Sequence, residues 1–159
     1  METEKQQLLL KDLCARLSYG VFCEGITMNL DFDTDKYYDH KVKGMLTNIH
    51  HYKSNDCVNT TGIIGLMNEC ELETIKPYLF PMSSMTEEQK KEFIQYAEYD
   101  VEESVSGRHY EYYLSDYVGT PEKPICNYNA IDWLNAHHFD YRGLIEKGLA
   151  IDATNLNIY

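Results

Sequence analysis

The sequence is poor in basic residues. It has 159 residues, with 14 lysines and arginines against 26 aspartates and glutamates, and its formal net charge is −12 at pH 7. Duplex-binding proteins usually neutralise phosphates with lysine and arginine, so this balance argues against that class. The deficit is uneven. Residues 69–122 hold thirteen acids and four bases, whereas residues 1–60 hold nine acids and seven bases and lie near neutrality.

Long apolar runs and cofactor-binding loops are also missing. No stretch approaches the roughly 20 apolar residues of a membrane span. The start, METEKQQLLLKD, lacks the basic and long apolar regions of a signal peptide. Neither phosphate-cradling pattern, G-x-x-x-x-G-K-S/T or G-x-G-x-x-G, occurs. We therefore expect a cytoplasmic protein with no cofactor and no membrane association.

The five cysteines do not form a disulfide pattern. Their number is odd and no pair has C-x-x-C spacing, so a disulfide framework would leave one thiol over. We interpret them as reduced thiols of an intracellular protein, mostly buried as small apolar side chains.

One segment has the start of a calcium loop but not its remaining ligands. In DFDTD, Asp31, Asp33 and Asp35 occupy the first, third and fifth positions. The sixth position, where the turn needs glycine, is Lys36, and the twelfth, where a bidentate glutamate is needed, is Val42. A solvated turn is the preferred interpretation and weak cation binding the alternative.

The histidines do not form a local metal site. Histidines are adjacent at positions 50–51 and 137–138, and neighbouring side chains diverge in strands and in helices. A zinc site would need a distant third ligand such as His109 or Cys57. We therefore expect no bound metal.

The stretch WLNAHHFDYRGLIEKGLA, residues 133–150, contains the only tryptophan and several polar groups. His138 and Asp140 could join a serine or cysteine in a hydrolytic set, but no G-x-S-x-G elbow exists. We predict packing instead, with Trp133 buried, Asp140 capping a short helix and Arg142 as the partner of Asp140. No catalytic residue is assigned, and the chain is not expected to be an enzyme.

The pattern of residues 1–82 predicts one helix followed by about five short strands. Apolar residues at three- and four-residue spacing predict a helix from Glu4 to Tyr19, closed by Gly20. In VFCEGITMNL the apolar alternation changes phase at Gly25, which predicts a bulge or bend. We therefore expect an α+β fold in which an N-terminal helix precedes a small SH3-like or Sm-like β-barrel.

Residues 83–159 are expected to form a helical, acidic C-terminal part. Thr86 and Gln89 match a capping box at the start of a helix that we place from Thr86 to Tyr99. The segment near residues 100–128 is rich in loop-forming residues and could also be an irregular hairpin. C-terminal helices follow it.

A cluster of lysines and tyrosines in the first part is the candidate binding face. Bases stack on aromatic rings and lysines meet phosphates, so this face could hold single-stranded nucleic acid. The alternative, which we favour, is a solvated turn and strand. The residues are Lys36, Tyr37, Tyr38, Lys41, Lys43, Tyr52 and Lys53.

Three stretches carry a resemblance to other proteins. LLLKDLCARLSYGV at residues 8–21, IKPYLFPMSSMTEEQKKEF at 75–93 and WLNAHHFDYRGLIEKGLAIDATNLNIY at 133–159 resemble an uncharacterised group of small proteins. These are encoded by gut Bacteroidales and by their phages. The resemblance implies a context, an intracellular accessory protein of a phage or mobile element, and transfers no activity or functional residue.

The sequence thus favours a non-catalytic interaction protein that binds a protein partner or itself, in host takeover, counter-defence or a virion-associated role. One alternative is a binder of a small molecule or nucleotide at a subunit interface. The other is a binder of RNA or single-stranded DNA through the barrel face. Salt would separate the last case, because phosphate binding weakens steeply with added salt.

Overall fold

The structure is a computed structural model that describes residues 2–51, 56–62, 67–96 and 128–159. Its elements, in chain order, are α1 (Glu2–Arg16), β1 (Phe22–Asp31), β2 (Lys36–His51), β3 (Asp56–Gly62), β4 (Met67–Glu71), β5 (Lys76–Leu79), α2 (Glu87–Tyr96), α3 (Tyr128–Ala136) and β6 (Ile151–Asp152). The expected α+β class, with an N-terminal helix and later helices, is confirmed.

The strands form one mixed sheet in the order β4-β3-β2-β1-β5-β6. All neighbours are antiparallel except β5 and β6, which run parallel. Within the described ranges no pairing joins the two outer strands, so the sheet is open and the expected closed barrel is not found. The sheet nevertheless curls: a Cβ placed on Gly25 of β1 would lie 3.1 Å from Sγ of Cys70 in β4.

Of the bulge or bend predicted at Gly25, the bulge is not found. Strand β1 pairs with β2 in one unbroken register through this residue. The irregularity lies in β2 instead, between Leu46 and Asn48. Gly25 is required because a Cβ there would also approach Cδ1 of Ile75 to 2.7 Å. The glycine therefore allows a close approach of the chain rather than a change of register.

Two apolar cores hold the elements together. The first lies between α1 and the inner face of the sheet, and it also takes Leu144 and Ala150 from the C-terminal part. The second joins α2 to α3 through Phe93, Trp133 and Leu134. The division expected after residue 82 stays a prediction, but packing and strand pairing both cross that position.

The helix ends follow the sequence signals. Helix α1 passes into a 3-10 turn over Leu17–Tyr19, and Gly20 ends it with φ +68°. At α2 the expected capping box is confirmed, because the Thr86 N–H donates to Gln89 Oε1 at 2.9 Å and the Gln89 N–H donates to Thr86 Oγ1 at 3.2 Å. The last three residues of the predicted helix, 97–99, and most of the predicted loop-rich segment lie outside the described residues.

The segment after α3 forms turns instead of the expected short helix. Asp140 is a cap in the chemical sense, since its carboxylate accepts the N–H groups of Leu144 and Ile145 at 2.9 and 2.8 Å. Arg142, expected to pair with Asp140, lies instead 3.3 Å from the carboxylate of Asp12 in α1. The carboxylate of Asp140 already accepts two backbone N–H groups, whereas the carboxylate of Asp12 is the one that pairs with Arg142.

Candidate protein-binding arm

The far half of the β1–β2 hairpin extends beyond its neighbours in the sheet. Strand β5 pairs with β1 only at Cys23 and Glu24, and β3 pairs with β2 only from Gly44 onward. Residues 26–41, called the arm below, therefore form a two-stranded ribbon closed by a turn over 32–35. Two-stranded ribbons are marginally stable by themselves in water, so the arm depends on its base or on a partner.

The arm exposes large apolar side chains. The exposed fractions are 90% for Phe32, 70% for Tyr37, 63% for Met28 and 50% for Tyr38. Tyr37 lies directly opposite the half-buried Leu30 in the register, next to the Met28 pair, so these three share the outer face of the sheet. A concentration of exposed apolar surface on one projection is typical of an interaction site.

A cleft of about 420 Å³ lies between the arm and β4. Its apolar wall comes from Ile26 and Met28 of β1, while Glu69 and Glu71 are exposed on the opposite side. Asp39 of the arm adds a third carboxylate. The remaining lining residues are Thr27, Cys70 and Thr74. The cleft therefore combines apolar contact with negative charge.

The structure divides the predicted lysine and tyrosine cluster between two faces. Three of these residues, Tyr37, Lys41 and Lys43, lie on the outer face of the sheet. Lys36 and Tyr38 lie on the opposite face, because successive side chains of a strand point to opposite sides. Tyr52 and Lys53 lie outside the described residues. The cluster is thus not one continuous face over the part that can be placed.

The two outer-face lysines of this cluster have acidic neighbours. Their ammonium groups lie 3.8 Å (Lys41) and 3.6 Å (Lys43) from the carboxylate of Glu24. Lys43 also lies over the ring of Tyr78, 5.3 Å from its centroid, and contact with the Tyr78 hydroxyl raises the pKa of this lysine. The arm itself carries four aspartates and two lysines, a charge of −2. Its electrostatics oppose phosphate binding.

The polar C-terminal stretch builds a buried cluster, not an open site. Asp12 and Arg16 of α1 form a fully buried pair at 2.7 Å. A second nitrogen of Arg16 donates to the carbonyl oxygen of Phe139 at 2.7 Å, and Arg142 donates to the Tyr141 hydroxyl at 2.9 Å. Charges removed from water are held where they are paired and hydrogen-bonded, and this cluster fastens α1 to the C-terminal segment.

His138 does not take part in a hydrolytic set with Asp140. Its ring is buried and stacks on Tyr159 with the ring centroids 3.9 Å apart. Burial, followed by the positive charge of Arg16, lowers the pKa of His138 to about 4. Its backbone has φ +58°, and its carbonyl oxygen accepts the N–H of Phe80 at 2.9 Å. The observed contacts of both residues are those of a structural corner.

Met28 and Phe32 were missed as candidate site residues in the sequence. The signal was the change of apolar phase in β1, which places Ile26, Met28 and Leu30 on the face opposite the core. This phase change indicates a second, uncovered apolar face. The same pattern also predicts a bulge or bend, because one extra residue changes the face on which the apolar side chains lie.

Comparison of the chain with protein-family models, with curated proteins and with solved structures finds no match. Within the part of the chain that the structure describes, no group of three or more histidine, cysteine or acidic residues is placed to hold a metal ion. None of the described helices is both long enough and apolar enough to cross a membrane. The candidate site therefore rests on the arm and its geometry alone.

Proposed function

We propose that this chain is a non-catalytic interaction protein that binds a protein partner through the arm. The observation that carries the proposal is the exposure of Met28, Phe32 and Tyr37 on a ribbon with little support of its own. Partner binding would bury these side chains and brace the ribbon. An accessory factor of a phage or mobile element would act in this way, by occupying a surface of another protein.

A protein partner fits the arm better than a nucleic acid. Two of the lysines that would meet phosphates, Lys41 and Lys43, lie beside Glu24, and the turn of the arm contains Asp33 and Asp35. Like charges that face each other across an interface are costly, so these carboxylates would repel a phosphate backbone. Exposed aromatic and methionine side chains are enriched at protein interfaces.

Site-specific photocrosslinking tests the proposal. Phe32 is replaced by p-benzoylphenylalanine in the full chain, and the same replacement at the exposed Tyr128 serves as the matched control. Both proteins are irradiated in extract of the organism that encodes the chain. We expect a discrete, protease-sensitive adduct from position 32 that position 128 does not give.

Two results would contradict the proposal. Equal adducts from both positions would mean that aromatic exposure, not the arm, determines the crosslinking. An adduct destroyed by nuclease and resistant to protease would favour the nucleic-acid alternative. A Phe32→Ser, Tyr37→Ser variant with an unchanged melting temperature should also lose the partner, because interface anchors contribute more to binding than to folding.

A further inference from the structure

The outer edge of β1 has a clear hydrogen-bonding alternation. The N–H of Phe22 donates to the hydroxyl of Tyr159 at 3.1 Å, and the N–H of Ile26 donates to the hydroxyl of Thr74 at 3.1 Å. Both groups therefore point away from β2. In an antiparallel pair, alternate residues direct both backbone groups to the same side. The backbone N–H and C=O groups of Met28 and Leu30 accordingly point away from β2 as well.

The partners of this edge stop at Ile26. Glu24 pairs with Lys76 of β5, and the Thr74 hydroxyl accepts from the N–H of Ile26 and lies 3.3 Å from the carbonyl oxygen of Ile26. Beyond this point β1 pairs with β2 alone. Across the described ranges, no strand and no side chain forms a hydrogen bond with the N–H or C=O groups of Met28 and Leu30 that point away from β2. Among the described residues, two N–H donors and two carbonyl acceptors at this strand edge thus have no partner.

This edge lacks the features by which sheet proteins protect exposed edges. Such edges usually carry lysine, proline or a bulge. Residues 27–31 are Thr-Met-Asn-Leu-Asp, and their pairing with β2 is regular. The side chain of Met28 is also exposed beside the edge. Within the described residues this regular edge is uncovered, and such an edge is a ready template for an added strand.

We infer that the partner binds by strand addition, pairing an extended segment with cationic side chains to the edge of β1 at Met28 and Leu30. The inference rests on the proposed function and specifies its mode. The added strand would continue the row that β5 occupies at Cys23 and Glu24. Main-chain hydrogen bonds supply affinity in this mode, and the side chains that line the groove supply selectivity.

The charge of the cleft selects the occupant. A strand on this edge would run beside Asp39, and the opposite wall presents Glu69 and Glu71. Met28 and Asp39 share the outer face, so lysine or arginine side chains of the added segment on that face would meet these carboxylates with their charged ends and Met28 with their methylene groups. A second copy of this chain would instead bring Asp31, Asp33 and Asp39 against the same residues, and like charges directly opposed are destabilising.

Amide exchange in the free protein tests the starting geometry. Measured by NMR on the full chain, the amides of Met28 and Leu30 should exchange near the rate of an unstructured chain. The amides of Thr27 and Asn29 point toward β2 and should be protected. Protection of Met28 and Leu30 in the free protein would overturn the inference, because the edge would already be occupied.

Synthetic peptides test the occupant. The probe is acetyl-KVKVKV-amide, and acetyl-EVEVEV-amide is its charge-reversed control. We expect the basic peptide to protect the amides of Met28 and Leu30 and the acidic peptide to leave them unprotected. The variant Asp39→Asn, Glu69→Gln, Glu71→Gln should weaken the basic peptide by at least about tenfold. Equal binding of both peptides, or of wild type and variant, would refute the charge selection.

Proline and alanine substitutions distinguish the contribution of the backbone N–H to peptide binding from that of the side chain. Met28→Pro removes an outward N–H and leaves the bonds to β2 in place, whereas Met28→Ala keeps the N–H and removes the side chain. The proline variant should abolish protection by the peptide, and the alanine variant should keep it. Asn29→Pro removes an inward N–H, so its melting temperature should fall well below that of Met28→Pro. If Met28→Pro instead had the lower melting temperature, the N–H of Met28, not that of Asn29, would be the one that points toward β2.

The outcomes distinguish this inference from the proposed function. Suppose that a partner crosslinks at position 32 but leaves the amides of Met28 and Leu30 unprotected against exchange. This result would support the proposed interaction function and refute strand addition. If the basic peptide protects the edge of β1 but position 32 gives no specific crosslink, the strand-binding site is supported and the proposed function is refuted. A dimer of this chain formed at the edge, detected by light scattering and lost in Met28→Pro, would replace the cationic segment by a second copy.

Discussion

The guanidinium of Arg16 donates a 2.7 Å hydrogen bond to the carbonyl oxygen of Phe139, 123 residues further along the chain. The same side chain pairs with Asp12 in the interior, so one residue serves both the helix and the C-terminal segment. Removing Arg16 would leave Asp12 with the guanidinium of Arg142 alone, 3.3 Å away, and breaking a buried ion pair costs up to about 3–5 kcal/mol. Arg16→Met should therefore lower the unfolding free energy by that amount in urea titrations.

A surface pair is the control for Arg16. Lys90 and Glu87 of α2 form a pair at 2.7 Å with the carboxylate largely in water. Exposed pairs contribute little to stability, so Lys90→Met should leave the urea midpoint unchanged. A similar loss in both variants would mean that the buried position of Arg16 has no special weight.

His138 should make the protein sensitive to mild acid. Burial holds its pKa near 4, against 6.5 for an exposed histidine. Between these values the unfolded chain binds a proton at His138 that the folded chain does not. The contribution of His138 to the unfolding free energy is therefore fully present above pH 6.5 and is lost as the pH falls to 4. The difference corresponds to at most about 3 kcal/mol. Chemical denaturation at a series of pH values measures it.

The matched variant for this window is His138→Asn. Asparagine tolerates the positive φ of this position better than most residues and does not titrate. We expect the loss of stability between pH 6.5 and 4 to shrink in this variant. An unchanged pH profile would assign the acid sensitivity to other groups.

Trp133 should be an interior anchor, as the sequence predicted. Its ring is buried, with its centroid 5.4 Å from that of Phe93 and 5.7 Å from that of Phe139. Emptying such a site costs about 3–5 kcal/mol, so Trp133→Ala should lower the unfolding free energy by that amount. Fluorescence of this single tryptophan should resist iodide quenching. Emission that iodide readily quenches in the folded protein would contradict the packing.

Gly25 should be sensitive to a single methyl group. A Cβ there would lie 2.7 Å from Cδ1 of Ile75, so Gly25→Ala overfills the interior, at a cost of about 1–3 kcal/mol. Ile75→Val removes the clashing atom. The double variant should be more stable than the sum of the two single losses predicts, as measured by a double-mutant cycle. Simple additivity would show that the two residues do not compete for the same space.

Local signals in the sequence predicted the helices better than the sheet. Gly20 and the Thr86–Gln89 pair act within one turn of chain, so their effects can be derived from neighbouring residues. Whether the sheet closes depends on how β4 meets β1, a contact between residues far apart in sequence. Short strands kinked at glycine fit a closed barrel and an open curled sheet equally well.

The candidate site could be predicted only in part for a similar reason. Tyr37 and Tyr38 were selected by their residue type, and both are exposed on the arm. The edge at Met28 depends on where β5 and Thr74 stop covering β1, which neither residue type nor periodicity indicates. The position of Arg142 likewise depends on Asp12, 130 residues earlier, and local reasoning assigned it to Asp140.

The contact between Phe93 and Trp133 also bears on how this chain can evolve. It joins α2 to α3, which the 31 residues numbered 97–127 connect along the chain. The side chains that form this contact, the arm and the buried cluster all lie outside that stretch. A change of sequence between positions 97 and 127 therefore leaves the residues of these contacts unaltered.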